Sequence, residues 1–381
     1  MKILLIGEYS RLHNSLKEGL QELGHEVFLV GMGDSFKQFP VDYNYDASFS
    51  DKSFIKNFIN KIFYRLFGQD VHALERGLRM LKILPKLKDY EVVQLINETP
   101  IQTFVWLEKF IIKRLMKQNK KTFLLSCGAD YISVKFAWEG KLRYSFLDVY
   151  KRDNSLESKF HYALKYLKPE YKALSEFLYK NISGVIASDF DYVLPLQGNA
   201  KFLGLIPNPI NTEKLETFPL EMKDKIIIFL GINRGTYYSK GIEFFEKALE
   251  QIKEKYGERV EVVVTENLPY REYINAYNRS HIILDQIYSY DQGYNALEAM
   301  AKGKVVFSGA EKEFLAHYNL TEEQVLINAL PDVDYLVEKL AGLIENPTKI
   351  LEISQAAQQF INEQHNYKKV AEKYFEIWKN H

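Results

Sequence analysis

The first half of the chain alternates short apolar runs with stretches of helical periodicity. Residues 3–6 form the first run, a helix pattern follows near residues 15–23, and residues 27–30 form a second run after a turn. Uninterrupted apolar runs of this length are typical of strands that are buried on both faces. The pattern therefore predicts a parallel sheet covered by helices. It continues in the apolar runs at residues 92–96, 123–125 and 185–187.

The same alternation begins again in the second half, at residues 226–231. The strand-like runs that follow lie at residues 260–264, 282–285, 305–307 and 325–327. Helix patterns separate them at residues 242–255, 270–278 and 294–302, and the last of three further helix patterns covers residues 367–379. Between the halves, the segment Ile206-Pro207-Asn208-Pro209-Ile210-Asn211 cannot be a helix, because proline lacks the amide hydrogen and forces its predecessor into an extended conformation.

These patterns predict an α/β protein of two doubly wound Rossmann-like domains that face each other across a cleft. We place the first domain at residues 1–211 and the second at residues 212–364. Residues 365–381 form a C-terminal helix that returns to the first domain. In such sheets a ligand binds at the carboxyl ends of the strands, which here lie between the domains.

Composition narrows the class of protein. With 381 residues the chain is long enough for two cores, and its single cysteine, Cys127, excludes an intramolecular disulfide framework. No apolar run reaches the length of about 20 residues that a membrane-spanning helix needs, and the first residues do not resemble a secretory signal. We therefore expect a cytoplasmic protein. Neither half is basic enough to favour nucleic acid as a partner.

The charges are unevenly distributed although the formal net charge is zero. Residues 51–150 hold 18 basic and 10 acidic side chains, and an aromatic, basic helix pattern covers residues 54–66. This segment is either a helix that rests on the inner face of an anionic membrane or a core-facing helix with a solvated lysine face. The first alternative predicts a peripheral membrane contact and a lipid-linked or surface glycan as the acceptor.

Candidate chemistry is concentrated in the second domain. A glycine ends the strand at residues 226–231, and the loop that follows carries Arg234 and Lys240 before Gly241 opens a helix. Such a loop offers backbone amides and two cations to a diphosphate. A second glycine, Gly293, precedes a helix in which Glu298 interrupts a small and apolar face, where a carboxylate can accept both hydroxyls of a ribose.

In these two motifs the chain resembles the retaining glycosyltransferases of family four, most closely within residues 226–308. The residues that match the family's two donor motifs are Arg234, Lys240, Gly241, Gly293, Leu297, Glu298, Ala299, Met300, Ala301 and Gly303. The resemblance implies the GT-B fold and transfer of a sugar from a nucleoside-diphosphate sugar with retention. It implies a glycan, lipid-linked or small-molecule acceptor, no cofactor besides the donor, and no required metal.

The resemblance also assigns donor contacts residue by residue. The family's pattern puts the diphosphate on Arg234, Lys240 and the turn formed by Gly293, Tyr294 and Asn295, and it puts the ribose on Glu298. Tyr290 stands where the family has the first of two glutamates. We therefore expect Asp285 or Asp291 to supply the acidic group near the sugar.

The first domain departs from the family as well. Cys127 occupies the position of a histidine, and we interpret it as a buried structural thiol. Asp130, a further catalytic candidate, either orients a sugar hydroxyl or caps the following segment. Two other functions share the fold or the motifs: a GT-B-type nucleotide-sugar epimerase and a non-catalytic protein that binds sugar nucleotides.

Two Asp-x-Asp strings invite comparison with metal sites that bind diphosphates. We expect the string at residues 332–334 to open a helix, because acids favour the first turn. The string at residues 189–191 follows a strand of the first domain, and we expect it to lie away from the phosphate loop. The sequence therefore predicts no metal site.

Overall fold

A computed structural model of the chain shows two parallel sheets with helices packed around them. It describes residues 1–33, 39–48, 70–216, 220, 222, 225–266 and 270–381, without the side chains of residues 270–273. The aromatic, basic segment 54–66 lies outside the described residues.

The first sheet contains seven strands. Their bounds are Lys2–Ile6 (β1), Glu26–Gly31 (β2), Tyr43–Asn44 (β3), Val92–Leu95 (β4), Lys121–Ser126 (β5), Gly184–Ala187 (β6) and Phe202–Leu205 (β7). The order is β3-β2-β1-β4-β5-β6-β7, and each neighbouring pair is parallel. The strand order therefore reverses between β1 and β4, where an open sheet of this type leaves a crevice.

Eight α-helices accompany this sheet among the described residues. They are Leu12–Glu22 (α1), Val71–Ile83 (α2), Val105–Gln118 (α3), Tyr131–Trp138 (α4), Leu147–Arg152 (α5), Glu157–Leu164 (α6), Pro169–Asn181 (α7) and Phe190–Leu196 (α8). Side-chain caps fix several of these boundaries. Asp70, for example, accepts a hydrogen bond from the amide of Ala73 at the start of α2.

The second sheet contains five parallel strands in the order β12-β11-β10-β8-β9. The strands are Ile226–Ile232 (β8), Val260–Glu266 (β9), Ile282–Leu284 (β10), Val305–Ser308 (β11) and Ile327–Asn328 (β12). The helices are Ile242–Tyr256 (α9), Tyr270–Arg279 (α10), Tyr294–Ala301 (α11), Lys312–Tyr318 (α12), Val333–Glu345 (α13), Pro347–Gln364 (α14) and Tyr367–Asn380 (α15). Here the order reverses between β8 and β10. The two doubly wound sheets confirm the predicted α/β class.

The last helix packs back on the first half, as predicted. α15 lies against α1 so closely that a Cβ on Gly19 would be 2.4 Å from the carbonyl oxygen of Tyr367. Trp378 is fully buried, and its indole Nε1 donates to Gln94 Oε1 in β4 at 3.2 Å. This return extends one apolar core from the first sheet to α11, α12 and α15.

The four helices α4 to α7 lie between β5 and β6, and all four contribute to a small core of their own. Val134, Leu147 and Phe160 are buried in it, and Tyr238 and Tyr288 of the second half pack against it. The sequence pattern did not predict these helices one by one, and the first three are only six to eight residues long. They bring the first half into contact with the loops of the second sheet.

Candidate active site

Lys240 and Asp285 meet where the strand order of the second sheet reverses. The two side chains belong to the loops that follow β8 and β10, which are neighbouring strands. Lys240 Nζ lies 2.8 Å from Asp285 Oδ1, and Asp285 is only 8% exposed. Ser308 at the end of β11 donates to the other carboxylate oxygen of Asp285 at 3.3 Å. The predicted phosphate-binding lysine therefore stands at the crevice where open parallel sheets bind ligands.

The loop that carries Lys240 is fixed by its backbone. The carbonyl oxygen of Lys240 accepts a hydrogen bond from the amide of Ile287 at 2.9 Å. Gly241 follows with φ +67°, and a Cβ at this position would lie 2.8 Å from the side chain of Ile287. Both the left-handed backbone and the close approach require glycine. The loop thus presents Lys240 on a rigid support.

Arg234 lies in the same loop but is engaged elsewhere. Its guanidinium forms two hydrogen bonds with Glu266 at the end of β9, at 2.7 and 2.5 Å, and it lies over the ring of Tyr237. The side chain of Arg234 is 52% exposed. Each of the two cations predicted to bind the diphosphate is therefore paired with a carboxylate. Arg234 is paired at the end of β9 and Lys240 at the end of β10.

The N-terminus of α11 is the second half of the predicted donor site. Gly293 is the N-cap residue, and no side chain among the described residues caps the helix there. The amides of a first helical turn attract anions. Asn295 is exposed in this turn, whereas Tyr294 is buried. Glu298, half-buried one turn further on, helps to raise the pKa of Tyr294, although burial is the larger cause.

The side chain of Tyr294 is used for a contact between the halves. Its hydroxyl lies 2.8 Å from Ser15 Oγ in α1 and donates to the carbonyl oxygen of Pro209 at 3.1 Å. Because the phenol hydroxyl is hydrogen-bonded to these two partners, Tyr294 can contact a diphosphate only through its backbone amide. The prediction for this residue therefore concerns the amide alone.

Asp291 is buried between the two halves. Its carboxylate accepts hydrogen bonds from the amides of Gln292 at 2.7 Å and of Phe190 at 3.1 Å. Burial raises its pKa to about 7. Both oxygens of Asp291 therefore hold backbone amides, and the residue joins α8 of the first half to the loop before α11.

The neighbouring string at residues 189–191 corrects one expectation from the sequence. Asp191 accepts a hydrogen bond from the amide of Tyr290 at 3.0 Å and one from Ser289 Oγ at 2.5 Å. The string therefore lies against the loop that precedes α11, because the carboxyl end of β6 faces the second half. Burial raises the pKa of Asp191 to about 6 and that of Asp189 well above its usual range.

A second cluster around Tyr290 includes an acid that the sequence analysis missed. The Tyr290 hydroxyl accepts the amide of Arg143 at 2.5 Å, and the Arg143 guanidinium lies over the ring of Tyr290. Arg143 also binds Glu311 and Glu313, at 2.5 and 2.7 Å. Tyr144 donates to Glu311 at 2.5 Å, and Glu311 is 8% exposed. The one feature of the sequence that could have indicated Glu311 is its position, three residues beyond the carboxyl end of β11.

In the first half, the structure assigns Asp130 one of its two alternative roles. Its carboxylate caps α4 through the amide of Ser133 at 2.7 Å and accepts Ser126 Oγ at 2.7 Å. Glu98, which the sequence analysis also missed, binds the amide of Tyr131 at 3.0 Å. Burial, and after it the charge of Asp130, raises the pKa of Glu98 to about 8. These two acids support the edge of the first sheet.

Cys127 lies at the same edge, and burial raises the pKa of its thiol. Cys127 is only partly buried against the apolar core, less enclosed than predicted. Its raised pKa disfavours the thiolate, which is the nucleophilic form. Asp332 caps α13 through the amide of Tyr335, as the sequence predicts. Among the described residues, no three His, Cys, Asp or Glu side chains are grouped to hold a metal ion.

Fold comparison defines the class of architecture. The chain is similar to sucrose-phosphate synthase from Thermosynechococcus elongatus, with a TM-score of 0.58, 14% identity and coverage of 100% of this chain and 99% of that one. It is similar to Anabaena HepE in complex with UDP and glucose, with a TM-score of 0.59, 11% identity and coverage of 99% and 98%. The UDP-GlcNAc 2-epimerase from Neisseria meningitidis has a TM-score of 0.55, 13% identity and full coverage of both chains. The fold is therefore GT-B, as predicted.

Comparison with models of protein families gives a result for the second half of the chain. Residues 240–376 match the family described as glycosyl transferase-like. The predicted resemblance to glycosyltransferases is thus confirmed in the half that contains Lys240, Gly293 and Glu298. Comparison with curated protein sequences found no match.

Proposed function

We propose that this chain is a glycosyltransferase that takes a sugar from a nucleoside-diphosphate sugar. The observation that supports this most is the position of Lys240 at the reversal of the second sheet, within the segment that matches the glycosyl transferase-like family. Lys240 and the amides at the start of α11 would hold the diphosphate. As the bond between the sugar and the diphosphate breaks, they would stabilise the negative charge that develops on the leaving diphosphate.

The other donor contacts follow from the same placement. Glu298 lies on the face of α11 one turn beyond the phosphate-binding amides and would accept the two ribose hydroxyls. Arg234 would exchange Glu266 for a phosphate, which is possible because that ion pair is half exposed. No step requires a metal in this scheme, because cations and amides of the chain carry the charge.

Asp285 takes a positioning role in this scheme. Its carboxylate holds Lys240 and is itself held by Ser308. Asp291 and Asp130 bind backbone amides and would act by shaping the two edges of the cleft. We further propose that transfer retains the anomeric configuration and that the acceptor, a glycan or a lipid-linked sugar, enters between the sheets. HepE and the meningococcal epimerase were solved with UDP and UDP-GlcNAc, which makes UDP-sugars the first probes.

The test is turnover of a panel of nucleoside-diphosphate sugars, with and without glycan and lipid-linked acceptors. We expect one donor to release nucleoside diphosphate faster when its acceptor is present, with the anomeric configuration retained in the product by NMR. Lys240→Ala should abolish this release. Lys247→Ala, an exposed lysine on α9, is the matched control and should not. Conversion of the donor sugar to its epimer without acceptor would instead identify an epimerase, and donor binding without any turnover would identify a binding protein.

A further inference from the structure

Two packed helices of the first half expose large apolar side chains. Leu78 in α2 is 55% exposed, and Trp106 and Phe110 in α3 are 66% and 55% exposed. The helices touch at Gly77, where a Cβ would lie 2.4 Å from the side chain of Leu107. Isolated apolar residues on a surface are common, whereas three large ones on two helices that pack together are a reason to look for a partner.

The same face of α3 carries positive charge. Trp106 and Phe110 are one turn apart, and residues at the following helical intervals continue their face. Those residues are the exposed cations Lys113, Arg114 and Lys117. The single acid of α3, Glu108, is fully buried and accepts backbone amides of the preceding loop. The outer face of α3 therefore exposes aromatic and cationic groups with no exposed acid.

This face of α3 begins at the edge of the first sheet that faces the cleft. α3 begins after the loop that follows β4, so Trp106 lies near the carboxyl edge of the first sheet. The same edge contacts the second half through Ser15 and Phe190. At 1.5 Å per residue, the cations from Lys113 to Lys117 continue roughly 10–16 Å away from that edge. A flat surface that rests on this face would thus lie beside the opening of the cleft.

We propose that the face formed by Leu78, Trp106, Phe110, Lys113, Arg114 and Lys117 docks on an anionic lipid bilayer. Helices with Trp, Phe and Leu beside Lys and Arg are stabilised at the bilayer interface, where apolar groups enter the head-group region and cations approach lipid phosphates. A soluble polyanion would satisfy the cations and leave the three apolar groups in water. No described helix is long and apolar enough to cross the bilayer. The docking proposal does not depend on the proposed function. Only its consequence, that docking would bring a lipid-linked acceptor to the cleft, rests on the proposed function.

Tryptophan fluorescence with lipid vesicles tests the docking. Trp138→Phe leaves Trp106 as the exposed tryptophan, because Trp378 is fully buried. With phosphatidylglycerol-containing vesicles, we expect the emission of Trp106 to shift to shorter wavelength and to be quenched by brominated acyl chains. Pure phosphatidylcholine vesicles should give little change, and added salt should weaken binding. Unchanged Trp106 emission with anionic vesicles would overturn the proposal.

Substitutions separate the two components of the surface. The triple variant Lys113→Gln, Arg114→Gln, Lys117→Gln should lose roughly 100-fold in partitioning to anionic vesicles. Trp106→Ser with Phe110→Ser should lose roughly tenfold or more. Lys135→Gln with Lys141→Gln removes exposed cations elsewhere on the same half and should have little effect. An equal loss of vesicle binding in this control would contradict a bilayer as the partner. So would a protein that does not bind vesicles but binds soluble polyphosphate, with an affinity that Trp106→Ser leaves unchanged.

Calorimetry with nucleoside diphosphates, run on the same variants, keeps this proposal distinct from the function. If the wild-type protein binds nucleotides but does not bind vesicles, the docking proposal alone is refuted. Vesicle binding without nucleotide binding would refute the proposed function alone.

Discussion

At the scale of single residues, the junction between the halves contains three neighbouring carboxyl groups, one buried and two partly buried. Asp291 is buried and Asp191 and Asp189 are partly buried, and loss of solvation is the largest cause of the raised pKa in each. Their hydrogen bonds run in both directions across the junction, from Asp291 to α8 and from Asp191 to the loop before α11. Asp291 and Asp191 therefore join the two halves, and their pKa values are raised to about 7 and about 6.

Asp291→Asn should change how stability depends on pH. A carboxyl whose pKa is about 7 in the folded state and about 4 when unfolded favours folding at low pH, and this contribution is lost as pH rises towards 7. Asparagine resembles the protonated form and does not titrate. We expect the wild-type free energy of unfolding to fall relative to the variant by roughly 2–4 kcal/mol between pH 5 and pH 8. Urea denaturation at several pH values measures this, and parallel curves would show that Asp291 is not the titrating group.

Some of the candidate site could be predicted residue by residue. Lys240 and Glu298 were predicted because each belongs to a local motif whose spacing is printed in the chain. Glu311 and its partner Arg143 were not, because 168 residues separate them and only the folded chain brings them together. The capping role of Asp130 was one of two alternatives, and only the folded chain shows the contact with Ser133 that makes the cap.

At the scale of elements, the loop from β8 to α9 is the part of the candidate site that is most constrained. Lys240 is held at its backbone by Ile287 and at its ammonium by Asp285. Gly241 then adopts a left-handed conformation in which a side chain would collide with Ile287. The position of Lys240 thus depends on Gly241 as well as on Ile287 and Asp285.

Gly241→Ala should therefore cost more than an ordinary glycine substitution. We expect a loss of roughly 2–4 kcal/mol of unfolding free energy, from the left-handed backbone and the collision with Ile287 together. Gly198 has φ +79° with no atom within 4 Å of a Cβ, so Gly198→Ala should show the backbone term alone, about 1–2 kcal/mol. Urea unfolding compares the two variants. Equal losses would mean that the contact with Ile287 does not constrain the loop.

At the scale of the whole molecule, the repeated alternation of apolar runs was enough to predict two doubly wound sheets. Periodicity reports burial within each sheet, and it predicted the strands from β8 to β11 within one or two residues at most ends. It could not report how the halves meet. Beside the shared apolar core, that contact includes polar side chains of the first half and of the loops, such as Arg143 with Glu311 and Asp191 with Ser289. Polar contacts of this kind leave no period in the sequence.

The central claim is that Lys240 binds the diphosphate of a sugar nucleotide at the reversal of the second sheet. The most direct measurement is calorimetric titration of wild type, Lys240→Ala and Lys247→Ala with uridine, guanosine, adenosine and thymidine diphosphates. For the nucleotide that binds wild type most tightly, Lys240→Ala should lose about 1.5–3 kcal/mol, or roughly 10- to 150-fold in Kd. Lys247→Ala should bind as wild type does. Unchanged affinity in a folded Lys240→Ala variant, or no binding of any of the four by wild type, would contradict the account.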